Sequence, residues 1–411
     1  MIDRRDLLKS TLVSMGAATV PTFLSRSATA ARAEKPGETI LVVVQLVGGN
    51  DGLNTVVPHA MDGYQKYRRA LRLNKPSLLN VNGDVGLHPS LGGLAKLLEA
   101  GRLSIVQGVG YPNPDRSHFR SMEIWESART EVGALETGWL GRALDARPTA
   151  PGADAMGVHV GKQGLPLALR SRQSDVPSLE SLEQYRLQLA GGTSEKDAAR
   201  AAMDGVARAD RRDDPLLGFL RRSTLAAYES SRRLESITKP APGNSKYPNY
   251  GLSKRLELIG QLIKSGFGTR IYYTALDGFD THANQLGAHA ALLTELGDSL
   301  KAFHDDLSAA GQSDRVAVVA FSEFGRRVAE NASGGTDHGA AAPLFVVGPV
   351  AASGLVGAHP TFDKLDDGDL IHHTDFRRVY ASLLQEWLGV EAAPIVGAGF
   401  TPMGLLRSRP A

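Results

Sequence analysis

Thr39-Ile-Leu-Val-Val-Val-Gln-Leu-Val47 runs directly into Gly48-Gly-Asn-Asp-Gly-Leu-Asn54. The first stretch carries no charge, is rich in β-branched side chains and is closed by two glycines. That is the pattern of a strand buried on both faces, as in a parallel sheet covered by helices. Residues 103–109, 270–276, 315–321 and 343–347 repeat it as four further candidate strands. Between the third and fourth of these five runs, Leu292, Leu296, Leu300, Phe303 and Leu307 recur at steps of three and four. That spacing lines one face of a helix and gives a β-α-β unit. Phe376, Val379, Tyr380, Leu383, Leu384 and Trp387 form a second such face near the end of the chain. Alternation of this kind predicts an α/β fold, a mostly parallel sheet sandwiched by helices.

The middle of the chain departs from the pattern. Residues 177–237 are rich in Arg, Glu, Ala and Leu, and 239–250 form a loop with three prolines. Residues 177–250 are therefore expected to be a helical insert or cap on a single domain spanning 31–411. No internal repeat and no long linker divides that domain.

Residues 1–30 read as an export signal. Arg4 and Arg5 stand side by side before Leu7, Leu8 and Lys9, and a mildly apolar run of small residues follows from Thr11 to Leu24. That run is too short and too poor in Leu and Ile to anchor in a bilayer, and Ala28-Thr29-Ala30 offers a small-x-small cleavage site. Paired arginines beside a weak hydrophobic core favour the twin-arginine route. The translocase of that route is then a partner during export, and the mature protein is expected in the periplasm or outside the cell. No later apolar run is long enough to span a membrane.

The signal holds four basic and two acidic residues, so the chain's formal charge of +2 belongs to it and the mature part is formally neutral. A neutral surface argues against a nucleic-acid partner. Zero cysteines exclude disulfides, thiolate catalysis and Cys-ligated metal. Any metal must be held by carboxylates, imidazoles, hydroxyls or amides.

In open α/β sheets, ligands bind beyond the carboxyl ends of the strands. The chain places Asn50, Asp51 and Asn54 after the first strand, and Asp277-Gly-Phe-Asp-Thr-His282 after the third. Ser322-Glu-Phe-Gly-Arg326 follows the fourth, and Gly335-Thr-Asp-His-Gly339 just precedes the fifth. These four turns would draw Asp51, Asp280, His282, Glu323, Asp337 and His338 together. Such oxygen and nitrogen donors suit Zn, Mn, Mg or Ca. Taken singly, each turn also has a plain reading, since Asn, Asp and Gly are ordinary turn and capping residues.

After the second strand, Pro112 and Pro114 lead into a helix start at Asp115-Arg-Ser-His-Phe-Arg120. Ser117 in the first turn could attack phosphorus or sulfur, with Arg116 or Arg120 holding the charged oxygens. The competing reading makes Asp115 or Ser117 a helix cap. His88 and His159 read as loop or core histidines, Asp375 as a cap, and His372 or His373 as within reach of the cluster.

With these motifs assembled, the chain resembles the domain of unknown function 1501 family of twin-arginine-exported proteins. The resemblance rests on the turns quoted above, together with Arg116-Ser-His-Phe-Arg-Ser121 and Thr374-Asp-Phe-Arg377. That family is similar to the alkaline phosphatase and sulfatase superfamily of hydrolases and phosphomutases. The resemblance implies that Asp51 matches the superfamily's first Asp and Ser117 its nucleophile, with Asp280 and His282 as the middle pair. Glu323 falls where a late Asp is expected and His338 where the last His is expected, while Phe324 stands in place of the late His. In a second register, Asp337-His338 is the late pair and His373 the final ligand.

Two functions follow as expectations. One is an exported hydrolase of a phosphate or sulfate ester that uses one or two divalent ions, with Ser117 attacking. The other is a catalytically silent protein on the same fold that binds a glycan, polymer or partner.

Overall fold

A computed structural model of the chain describes residues 38–131, 133, 135–147, 155–174, 176–180 and 247–407. The export signal and nearly all of the expected insert lie outside the described residues.

Nine strands form the main sheet among the described residues. In chain order they are β1 (Ile40–Val47), β2 (Leu103–Gly110), β3 (Gly157–Val160), β4 (Ser178–Leu179) and β5 (Ile271–Asp277). They continue with β6 (Val316–Ser322), β7 (Ala342–Val347), β8 (Gly354–Val356) and β9 (Thr374–Asp375). Their lateral order is β8-β2-β7-β6-β1-β5-β3-β4, with the two-residue β9 pairing β2. All five strands expected from the sequence are present, and β1 lies in the middle, parallel to β5 and β6.

Side chains of β1 alternate between two cores, as the strand period of two requires. Ile40, Val42, Val44 and Leu46 face one core, which holds α1 (Gly92–Glu99), α4 (Gly251–Lys264) and α5 (Gln285–Ala309). Leu41 and Val43 face the other, with α2 (His118–Ser127), α3 (Trp139–Asp145) and α6 (Phe376–Ser382). The sheet is thus mostly parallel and flanked by helices on both faces. Asp375 caps α6, its side chain accepting from the Arg377 N–H.

Among the described strands only β7 runs against the rest, antiparallel to both β2 and β6. Its direction decides where the site can form. A loop entering a parallel strand would lie at the amino edge of the sheet. The loop entering β7 lies instead at the carboxyl edge of its neighbours, beside the turns after β1, β5 and β6.

Candidate metal centre

Close backbone packing brings the turns together. Gly48 has φ +118°, and a Cβ there would sit 2.4 Å from the Asp280 backbone nitrogen, so only glycine lets the ends of β1 and β5 approach this closely. The loop before β7 is pinned to the turn after β6 by Gly339 N–H to Gly325 O, Gly325 N–H to Ala340 O and Arg327 N–H to Asp337 O. Beneath both, the buried Arg326 guanidinium donates to the carbonyls of Gly48, Gly49, Phe279 and Thr336 and, at 2.8 Å, to Asp280 Oδ1.

Three imidazoles converge on Asp280. Nε2 of His282 and of His338 each lie 3.1 Å from Asp280 Oδ1, and His118 Nε2 lies at 3.5 Å. The ligating atoms of His118, Asp280 and His338 all fall within 4.8 Å of one another. His282 comes from the exposed side, with its Nε2 2.9 Å from that of His338.

Each outer nitrogen meets an acceptor. His118 Nδ1 is 2.9 Å from Glu323 Oε1, His282 Nδ1 is 3.2 Å from Asp337 Oδ1, and His338 Nδ1 is 2.7 Å from the Arg116 carbonyl. A carboxylate or a carbonyl can only accept, so each Nδ1 can donate to the acceptor behind it, which leaves each Nε2 able to turn a lone pair to a cation or a proton to Asp280. The Nε2 atoms of His282 and His338 lie 2.9 Å apart beside one carboxylate oxygen, close enough for a single cation to engage all three. His118, Asp280 and His338 form a donor set suited to zinc or a similar divalent ion, with the exposed His282 beside them.

The electrostatics agree. Burial works against the charge on Asp280, but hydrogen bonds from Arg326 and His338 outweigh it and bring the carboxyl to about 2. The hydrogen bond from Asn331 holds Asp337 below the ordinary carboxylate range. The Glu323 hydrogen bond raises the His118 pKa, making its ring a stronger base. Glu323 is fully buried and is fixed in turn by the Gly48 N–H at 2.8 Å and the Ser322 hydroxyl at 3.1 Å. Phe324 packs its ring against those of His118 and His338, with centroids 4.9 and 4.7 Å apart, and so walls the centre on one side.

A family model described as "Protein of unknown function (DUF1501)" matches residues 38–384. The chain belongs to that family. No curated protein matches it.

Several solved structures are similar to this DUF1501 chain at low TM-scores. The C-terminal periplasmic domain of EcEptC from Escherichia coli, in complex with Zn, has TM-score 0.37 and 10% identity, covering 77% of this chain and 74% of that one. The lipoteichoic acid synthase LtaP from Listeria monocytogenes has TM-score 0.35 and 8% identity, covering 82% and 72%. The PsFucS1 sulfatase from Pseudoalteromonas sp. has TM-score 0.34 and 11% identity, covering 88% and 74%. Likenesses this remote carry no argument about chemistry.

Of the six metal ligands expected from the sequence, Asp280, His282 and His338 meet at the centre. Glu323 and Asp337 stand one step back, holding imidazoles. Asp51 departs from its expected place: it is fully buried and both carboxylate oxygens go to Arg68. His373 is not at the centre either. Its Nε2 bonds the Ala358 carbonyl and its Nδ1 the Thr374 hydroxyl, so the register that made it a ligand is not met.

Ser117 occupies the cap position of α2 and is exposed, yet its side chain makes no capping bond. Asp115 Oδ1 accepts from the Ser117 N–H instead, at 2.7 Å. Arg116 and Arg120 do not offer free guanidinium groups. Arg116 is taken by Asp367 and Asp369, and Arg120 by Glu123 and the carbonyls of Thr130 and Glu131. His88 and His159 are buried, as core histidines should be.

Sequence reasoning missed His118. It lies in the quoted motif, but the serine before it drew the attention owed to a helix start. The usable signal was its placement as the first residue of α2, on the same sheet edge as the other histidines.

Replacing Glu323 with Gln should weaken zinc binding about 10–100-fold, because the amide cannot take the His118 proton as strongly. Competition with a fluorescent chelator measures this. An unchanged affinity would remove Glu323 from the centre.

Proposed function

We propose that this chain is an exported, metal-dependent hydrolase acting on a phosphate or sulfate ester. The observation that carries the reading is the convergence on Asp280 of three imidazoles, each backed by an acceptor. His118, His282, His338 and Asp280 would hold the ion, with Glu323, Asp337 and the Arg116 carbonyl orienting the rings. When bound, the ion supplies a positive charge that polarises the ester.

In this reading Ser117, the residue before His118, acts as the nucleophile. Its hydroxyl is not used as a cap, and the first-turn N–H groups of α2 favour negative charge beside it. Attack would form a bond from Ser117 Oγ to phosphorus or sulfur and break the bond to the leaving alcohol, and water would then release the acid. Arg4 and Arg5 in the leader support export by the twin-arginine route and action in the periplasm or outside the cell.

The second reading, a silent binding protein for a glycan or other partner, is favoured by one observation. Arg116 and Arg120 are both tied to other groups, so neither is free to clamp an anionic ester.

Elemental analysis of full-length protein, with ester hydrolysis assayed alongside, tests the proposal. Wild-type protein should carry a divalent ion that His118→Ala loses. Ser117→Ala should keep the ion and lose at least roughly 10³-fold in turnover, the scale on which removal of a nucleophile acts. A folded protein free of ion, indifferent to added Zn or Mn, would end the hydrolase reading. An ion-loaded protein with no turnover of any phosphate or sulfate ester would favour the binding one.

A further inference from the structure

Behind the imidazoles lies a second buried polar constellation, centred on Asp51, one of the metal ligands expected from the sequence. Asp51 stands at the carboxyl end of β1 with no exposed side-chain surface, and neither has its partner Arg68. Arg68 Nη1 and Nη2 meet the two carboxylate oxygens at 2.5 and 2.9 Å. The same guanidinium donates through Nε to the Val328 carbonyl at 2.7 Å and through Nη2 to the Arg327 carbonyl at 3.0 Å. It is therefore fixed by contacts to residues far apart in the chain. Burial works against the charge on Asp51, but Arg68 outweighs it and holds the carboxyl below its ordinary range.

The neighbouring turn residues are also engaged, except that Asn50 Nδ2 has no partner among the described residues. Asn50 Oδ1 is bonded by Thr55 and His289, and Asn54 by Tyr64 and the Leu71 carbonyl. A divalent ion at Asp51 would have to displace a buried cation of the same sign.

Gln285 links this constellation to the imidazoles. Its Nε2 donates to Asp51 Oδ2 at 2.5 Å, and its Oε1 accepts from the hydroxyls of Thr281 at 3.1 Å and Thr336 at 2.6 Å. Thr281 lies between Asp280 and His282, and Thr336 precedes Asp337 and His338. One buried amide therefore sets the spacing of the two turns that carry three of the four converging ligands.

We infer that the centre is built for one ion, with the Arg68 guanidinium standing where a second cation would neutralise Asp51. Asp51 and Gln285 are positioning residues that act on the ion through Thr281 and Thr336. This inference rests on the metal-dependent reading above and narrows it: the centre is mononuclear, and Asp51 never touches metal.

Titration of full-length protein with Zn²⁺ or Mn²⁺, followed by native mass spectrometry, decides it. One equivalent is expected. Thr336→Val, which removes one hydroxyl, should keep that stoichiometry but weaken affinity about 10-fold, and Thr336→Ser should restore it. Asp51→Asn should likewise keep one equivalent in its folded fraction. Two equivalents in the wild type, one of them lost in Asp51→Asn, would overturn the inference and leave the hydrolase standing. An affinity untouched by Thr336→Val would overturn the positioning role. No bound ion in folded wild-type protein would overturn both readings.

Discussion

Replacing Arg68 with alanine is expected to cost about 3–5 kcal/mol, because it leaves the Asp51 carboxylate buried without its partner. Neither side chain touches solvent, so water cannot take over the lost contacts. The loss should appear in urea denaturation as a lower midpoint, largely independent of added salt, since a buried pair is poorly screened. The paired substitution Asp51→Leu with Arg68→Met should recover part of the stability: it removes both desolvated charges at once but leaves Gln285 Nε2 and the Val328 and Arg327 carbonyls without these partners. A single-variant cost below about 1 kcal/mol would mean that the pair is not buried as described.

The second large effect is acid sensitivity well above the carboxylate range. His88, His159 and His289 are each pushed from 6.5 down to about 4, with burial as the leading cause. Above pH 6.5 neither the folded nor the unfolded chain protonates them, and they contribute nothing to the pH dependence. As pH falls below 6.5 the unfolded chain takes up protons that the folded chain refuses, so stability drops until pH approaches 4. At about 1.4 kcal/mol per unit for each group, the three together cost on the order of 5 kcal/mol between pH 7 and pH 5.

Two other groups shape the curve without explaining that loss. His118 has a raised pKa, so the stability it adds is fully present below 6.5 and is lost as pH rises through its folded value, a partial offset. Asp51 is depressed, so its stabilisation is present above 3.8 and is lost only as pH falls through its lower folded value. Chemical denaturation at pH 7, 6 and 5 measures the slope, and His159→Gln should flatten it. A flat profile across that window would show that these histidines are protonated in the folded chain.

The residue pattern alone carried the architecture. Unbroken apolar runs and three-four helical spacing depend on local burial, and a strand covered on both faces has no polar positions to confuse the reading. Local chemistry also marked the turns that meet, so Asp280, His282, Asp337 and His338 were visible as neighbours before any fold was known. Other features depend on partners far apart in sequence. Arg68 finds Asp51 across 17 residues and Gln285 finds it across 234, and no periodicity encodes such meetings. The direction of β7 was equally hidden, because a strand buried on both faces shows the same composition whichever way it runs. Tertiary packing alone decided that the loop before β7 faces the imidazoles, that His118 joins them, and that Asp51 is held by a guanidinium.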